Sequence, residues 1–326
     1  MFMIKLDSKD RKILYELNLN SRQSFSKIGK KVGLHRNNVL YRVNNLVEKG
    51  IIKNFFTVID SYILGYTYYR FYITFQYVNP EIKKEIINYF VKCKYTTDVH
   101  TSEGYYDLIL IMAVKNISEF YNFWKKSLNL YGDYFAKQVF SIYTSETNYK
   151  YSFLLNEKNM IKHDRKKFEL FNDSRRVELN DFDLHLLNII APNARIPTTE
   201  IAQQLDSTAV TINKRIKRLR ELYIIRGFSV GLDFSKFDYH MYKANITLKE
   251  RKKYRRIVKY VEANPNLTGI LSSIGYVDIE LIFCLKNFDY LIQIIEDLYI
   301  KFPDTIKDYS YFCVMTTPKW IYMPDE

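Results

Sequence analysis

Between Asp7 and Gly50 the apolar residues recur every three or four positions, and the polar residues between them fall where helices begin and end. Ile13, Leu14 and Leu17 form one stripe, and Asp7 and Ser8 ahead of it offer side-chain acceptors for the free N–H groups of a helix start. Ser24 is placed to cap a second helix carrying Phe25, Ile28 and Val32, and Gly33 ends it in the left-handed conformation that glycine adopts without strain. A third helix begins near His35. Its core face is Val39, Val43 and Leu46, which turns Asn37, Tyr41 and Asn44 away from the core. Gly50 closes that helix, and Ile51 to Ile59 alternates weakly as a wing strand, so three helices and a hairpin are predicted.

Beyond this segment the period shortens to two. Tyr66 to Val78 and Tyr105 to Lys115 are rich in Tyr, Phe, Ile and Val and read as strands, Pro80 to Val91 and Asn116 to Leu130 read as helices, and a last strand runs near Phe135 to Tyr143. The order β-α-β-β-α-β is that of a ferredoxin-like sandwich, with two helices on one face of an antiparallel sheet. An apolar, Tyr-rich face left open by one such domain is most simply buried against an equivalent face, which implies pairing.

The whole pattern occurs twice. A shift of 173 residues lays Leu6 to Asp60 on Leu179 to Asp233 without a gap, and after two residues of slippage Gly104, Tyr105 and Asp107 fall on Gly275, Tyr276 and Asp278. The expected fold class is α+β, with tandem winged helix-turn-helix and ferredoxin-like (βαββαβ) sandwich domains repeated twice. The divisions are 1–60, 61–156, a charged connector at 157–178, 179–233 and 234–326.

Composition narrows the function. No charged n-region followed by an apolar stretch opens the chain, and Leu108 to Val114 is too short to span a bilayer, so a cytoplasmic protein without a membrane partner is expected. Three cysteines without C-x-x-C spacing and five unclustered histidines support neither a disulfide framework nor a metal site, and no cofactor is expected. The net charge of +13 suits a polyanion. Residues 1–60 hold 12 Lys/Arg against 5 Asp/Glu, whereas 179–233 hold 7 against 6, so the first copy is the basic end.

The residues Leu6-x-x-x-Asp10-x-x-Ile13-Leu14-x-x-Leu17-x-x-Asn20-x-Arg22, then Val39-x-x-Arg42-Val43-x-x-Leu46-x-x-x-Gly50-Ile51-Ile52, then Gly104-x-x-Asp107, closely resemble the leucine-responsive and asparagine-synthase regulator (Lrp/AsnC) family, duplicated within one chain. The second copy fits through Leu179, Asp183, Leu186, Leu187, Asn193, Arg195, Ile212, Arg215, Ile216, Leu219, Ile224, Ile225, Gly275 and Asp278. It departs where Tyr223 replaces the glycine that ends the third helix, and where Pro197 and Asp206 sit in and after the second. The resemblance implies a transcription regulator whose heads dock on duplex DNA. It also implies sandwich domains that assemble oligomers and often bind an amino acid or similar small effector.

In a helix-turn-helix the exposed face near the start of the third helix enters the major groove. Here it offers Arg36, Asn37, Asn38, Tyr41, Asn44 and Asn45 in copy one, and Thr208, Thr211, Lys214, Lys217 and Arg218 in copy two. Asn suits the adenine edge, Arg the guanine edge and Lys the phosphates. Arg42 and Arg215 lie at the edge of the core stripe, where each can reach a phosphate or brace the helix through a carboxylate. Gly104, Asp107, Gly275 and Asp278 mark either a tight turn with an Asx hydrogen bond or part of an effector pocket. The reach of the connector lets the two sandwich domains of one chain pair as a pseudo-dimer, with higher homo-oligomers open. Two other functions share this build: a siroheme-decarboxylase-like enzyme, for which His100 alone in Asp98 to Asp107 is a poor match, and a protein-assembly scaffold. No catalytic residue is assigned.

Overall fold

The computed structural model describes residues 4–155, 165–172 and 175–324. The first half runs α1 (Ser8–Leu19), α2 (Phe25–Val32), α3 (Arg36–Glu48), β1 (Ile52–Ile59), β2 (Thr67–Phe75), α4 (Pro80–Lys92), β3 (Thr96–Gly104), β4 (Leu108–Val114), α5 (Ile117–Tyr131) and β5 (Phe135–Tyr149). After β6 (Lys167–Phe171) the second half repeats the order: α6 (Asp181–Ile190), α7 (Thr198–Gln204), α8 (Ala209–Glu221), β7 (Ile225–Leu232), β8 (His240–Leu248), α9 (Tyr254–Glu262), β9 (Leu267–Gly275), β10 (Ile279–Leu285), α10 (Phe288–Lys301) and β11 (Ile306–Trp320).

The helix starts follow from local chemistry. Asp7 accepts from the N–H groups of Lys9 and Asp10, Ser24 from Lys27, and Asn180 from Asp183. Gly33 and Gly50 end α2 and α3 with φ of 69° and 68°. At the equivalent places of the second copy, Asp206 and Tyr223 hold the same left-handed backbone with φ of 45° and 62°. The second head therefore keeps the turn geometry with side chains that strain it.

The expected wing hairpin does not form. Each head contributes a single wing strand, and β1 pairs antiparallel with β7 of the other half. Phe56 faces Ser229, the same position of the repeat, so a pseudo-two-fold axis passes between them. A lone strand leaves one edge of N–H and C=O groups unpaired, and the other copy's strand satisfies them. Each head core is completed across that axis: Val230 and Leu232 join Ile13, Leu17, Val39 and Val43 of the first head, and Phe56 and Val58 join Leu186, Ile212 and Ile216 of the second.

Below the heads the sandwich sheets have the orders β5-β2-β4-β3 and β11-β8-β10-β9, and β3 pairs with β11 while β9 pairs with β5. The eight strands close into a barrel, and the second half of β5, which runs past β2, offers its free edge to β6. Alternation along β2 sends Tyr69, Phe71 and Ile73 outward under α4 and α5, and sends Tyr72 inward with Tyr106, Ile109 and Phe312. The second sheet packs α9 and α10 in the same way, through Ile257, Val261, Leu291 and Ile295. Two expectations change here. β5 continues to Tyr149, past the expected end at Tyr143, because its second half pairs with β9 and β6. The span expected to be only a connector holds β6, while its residues 157–164, 173 and 174 lie outside the described residues.

Candidate functional site

The third helix of each head turns Val39, Val43 and Leu46, or Ile212, Ile216 and Leu219, into the core. Arg36, Asn37, Asn38, Tyr41 and Asn44 are exposed, Tyr41 by 72%, and Asn45 is half-buried. These side chains form one polar face at the start of α3 whose hydrogen-bonding groups are open to a partner. On α8, Lys214, Lys217 and Arg218 are exposed, as are Asn213 and Arg220, which the sequence reading passed over. Thr208 is spent differently: it caps α8, accepting from the N–H of Thr211, and the two hydroxyls lie 3.0 Å apart.

Arg42 is held by two carboxylates, Asp7 Oδ2 and Asp10 Oδ1, each at 2.7 Å, so it pins α3 to the start of α1. Arg215 does the same in the second head at 3.4 Å from the buried Asp183, which Arg218 also approaches at 3.6 Å. Of the two roles open to these arginines, the structure displays the brace.

The heads are tied together by a reciprocal contact. Arg22 Nη1 donates to the carbonyl of Ala194 at 2.6 Å, and Arg195 Nη1 donates to the carbonyls of Ser21 and Gln23. Arg22 and Arg195 occupy the same position of the repeat. Burial pulls both guanidinium pKa values down. The signal for this clamp was in the sequence: the same arginine appears in both copies, although the reading faces have diverged.

The four residues weighed as an effector pocket serve mainly the backbone. Asp107 Oδ2 accepts from the N–H of Phe75 and Asp278 Oδ2 from that of Leu248, both at 2.8 Å, tying the β3–β4 and β9–β10 turns to the ends of β2 and β8. Gly104 and Gly275 have φ of 118° and 117°, and a Cβ there would stand 3.3 Å from the Tyr311 carbonyl oxygen and 3.0 Å from that of Phe140. They let the two halves approach at the β3–β11 and β9–β5 seams. Asp278 also pairs with Arg251 at 2.6 Å along an open groove with Arg255 and Ser272.

A partly enclosed site lies elsewhere, between the β1–β7 ribbon and the barrel. A cavity of about 90 Å³ is roofed by Phe56, Val58 and Ser229 and floored by Asp98, His100, Glu146 and Lys243. Burial, and then the charge of Glu146, push the Asp98 carboxyl up to about 7. Burial and the nearby Lys243 and Arg70 hold the His100 imidazole well below its usual value, so it is neutral. Behind the cavity Glu280 is fully buried and pairs with Arg70 and, at 3.6 Å, with Lys243. Arg70 and Lys243 are the same position of the repeat, while the partner position of Glu280 is Ile109, so one carboxylate serves both cations. The sequence offered His100 only as a poor match to a decarboxylase and did not single out Asp98, Glu146 or Lys243, which come from three strands of two halves.

Among the described residues no helix is long and apolar enough to cross a membrane, and no three His, Cys, Asp or Glu side chains are grouped to hold a metal ion. The family model for winged helix-turn-helix DNA-binding domains matches residues 6–53, and the AsnC-type helix-turn-helix model matches residues 179–220. The HTH-type transcriptional regulator Ptr1 of Methanocaldococcus jannaschii is 35% identical over 112 residues, covering 34% of this chain and 74% of the relative. An uncharacterized HTH-type transcriptional regulator of Pyrococcus furiosus is 32% identical over 107 residues, covering 32% and 72%. Among solved structures, the siroheme decarboxylase NirDL superposes with a TM-score of 0.64 over 98% of this chain and 94% of its own, at 13% identity, a likeness of architecture alone. With both heads matched and single-copy regulators covered over nearly three quarters of their length, this chain belongs to the Lrp/AsnC family of HTH-type transcriptional regulators, in an internally duplicated form.

Proposed function

We propose that the chain is a cytoplasmic, sequence-specific regulator of transcription that grips duplex DNA with two unlike heads held in fixed relation. The observation that carries this reading is the exposed Asn-rich face of α3, clear of the core and backed by a clamped pair of heads. Asn37, Asn38, Asn44 and Arg36 carry donors and acceptors suited to base edges. On α8, Lys214, Lys217 and Arg218 suit phosphates, which position a head without reading sequence. The first head is therefore the stricter reader, and the preferred site is two dissimilar half-sites about one helical turn, or a multiple of it, apart. Selection of bound duplexes from a random pool by the full chain tests this. A strict palindrome contacted by the first heads of two chains would overturn the two-headed reading, and no enrichment at all would overturn DNA reading.

The decarboxylase architecture raises a second reading, which the cavity does not favour. A tetrapyrrole bearing several carboxylates needs a pocket of several hundred Å³ with cationic walls. The cavity here is about 90 Å³, with Asp98 and Glu146 facing it beside Lys150 and Lys243, so its size is what argues against so large a ligand. Carbon dioxide release from added siroheme would reverse this preference.

A further inference from the structure

We propose that the cavity between the wing ribbon and the barrel is a binding site for a small organic cation, a primary ammonium carried on a few carbons. Size comes first. At about 10–15 Å³ per water-sized site, a cavity of about 90 Å³ has room for roughly half a dozen non-hydrogen atoms.

Charge comes second. Asp98 and Glu146 both face the cavity, and among the described residues no Lys or Arg lies within ion-pair distance of either. Glu146 accepts from Asn148 Nδ2 at 2.5 Å, and Asp98 has the His100 Nε2 at 3.8 Å. Neutral His100 offers no charge. The residue is 5% exposed and lines the cavity, shares Nδ1 with Thr317 Oγ1 at 3.0 Å, and has Asp98 Oδ1 3.8 Å from Nε2, beyond hydrogen-bond distance. Lys243 is committed to Glu280, and Lys150 donates to the Asn18 carbonyl at 2.5 Å while lying over the Phe168 ring. Three carboxylates, Asp98, Glu146 and Glu280, thus share the two cations Arg70 and Lys243, which act on Asp98 and Glu146 only from beyond ion-pair distance, while burial works against the charge on Lys150; one further positive group would offset the difference.

The walls supply a third argument. Tyr68, Tyr143, Trp320 and Tyr322 surround the space, and aromatic faces attract an ammonium as well as its carbons. The acidic set is also one-sided. The repeat positions of Asp98, His100 and Glu146 are Gly269, Leu271 and Thr317, so the barrel and ribbon form on the other side of the axis without these groups. They are not required to build the fold.

The test uses the full chain carrying Trp124→Phe, which leaves Trp320, at the cavity, as the single tryptophan reporter. Isobutylammonium is titrated against the uncharged isobutanol by fluorescence and calorimetry at pH 8, without DNA, so failure here is separate from failure of the DNA reading. The expected result is saturable binding of the amine, at least about tenfold tighter than the alcohol, and a loss of about tenfold in Asp98→Asn or Glu146→Gln, one ionic contact being worth roughly a pKa unit. If the variants do not fold, the chain carrying only Trp124→Phe decides. Its amine affinity falls from pH 8 to pH 6, as Asp98 takes up a proton and Lys243 becomes fully charged, while alcohol binding stays level. Equal affinities for amine and alcohol, no saturation by about 100 mM where so small a ligand should bind, or a flat pH series would each overturn the proposal.

Discussion

Arg22 and Arg195 each reach across the pseudo-two-fold axis to carbonyl groups in the turn that carries the other, so the two heads hold one another by the same residue twice. Removing either guanidinium strands partly buried carbonyls that had a charged donor. Arg22→Ala or Arg195→Ala should each cost about 1–3 kcal/mol in unfolding free energy. The double variant should also lose its sharp preference for one half-site spacing, measured by binding to duplexes with the halves moved apart base by base. Unchanged spacing preference would show that the β1–β7 ribbon alone orients the heads.

The reading face predicts a different signature. Replacing Arg36, Asn37 and Tyr41 by Ala should weaken binding to the selected site far more than binding to random duplex, because base-edge contacts discriminate and phosphate contacts do not. Comparing the two affinities over a salt series checks this. A uniform loss with a flatter salt slope would mean that these side chains touch phosphate instead.

At the barrel seam, Gly104→Ala and Gly275→Ala should destabilise the chain by about 2–4 kcal/mol each, from a backbone region closed to side chains and contact with the opposite strand. Denaturant melts measure it. Asp107→Asn should be much milder, since an amide oxygen can still accept from Phe75.

Asp98 gives stability a pH dependence of known sign. Its folded pKa, about 7, lies above the ordinary 3.8, so between those values the folded state binds the extra proton and stability falls as pH rises. Asp98→Asn removes that fall. Its stability relative to the parent should therefore climb from pH 4 to pH 7 and level off above, as followed by urea melts across that range. A difference independent of pH would mean that Asp98 is not held near neutrality.

Much of this molecule was legible in advance, and the reasons are local. Ile13, Leu14 and Leu17, the caps at Asp7 and Ser24, and Gly33 and Gly50 encode the heads within a few residues of one another. The alternating strands encode the sandwich in the same way. What stayed hidden depends on partners far along the chain. Nothing near Ile52 to Ile59 says that the pairing strand is Ile225 to Leu232. Likewise β6 is only five residues long, set in a charged stretch, and forms because β5 offers an edge. The cavity is the extreme case, since Asp98, Glu146 and Lys243 look like surface charges until the barrel closes around them.

The pairing of β1 with β7 inside one chain also removes concentration from the behaviour of the heads. Where two separate chains supply the two wing strands, dilution eventually yields single heads, and a DNA titration then contains an assembly step. Here each head carries its neighbour at a fixed effective concentration set by the covalent chain. The two-headed unit should persist at any dilution, and its DNA isotherm should keep one midpoint whether the protein is assayed at picomolar or micromolar levels, provided DNA is kept well below it.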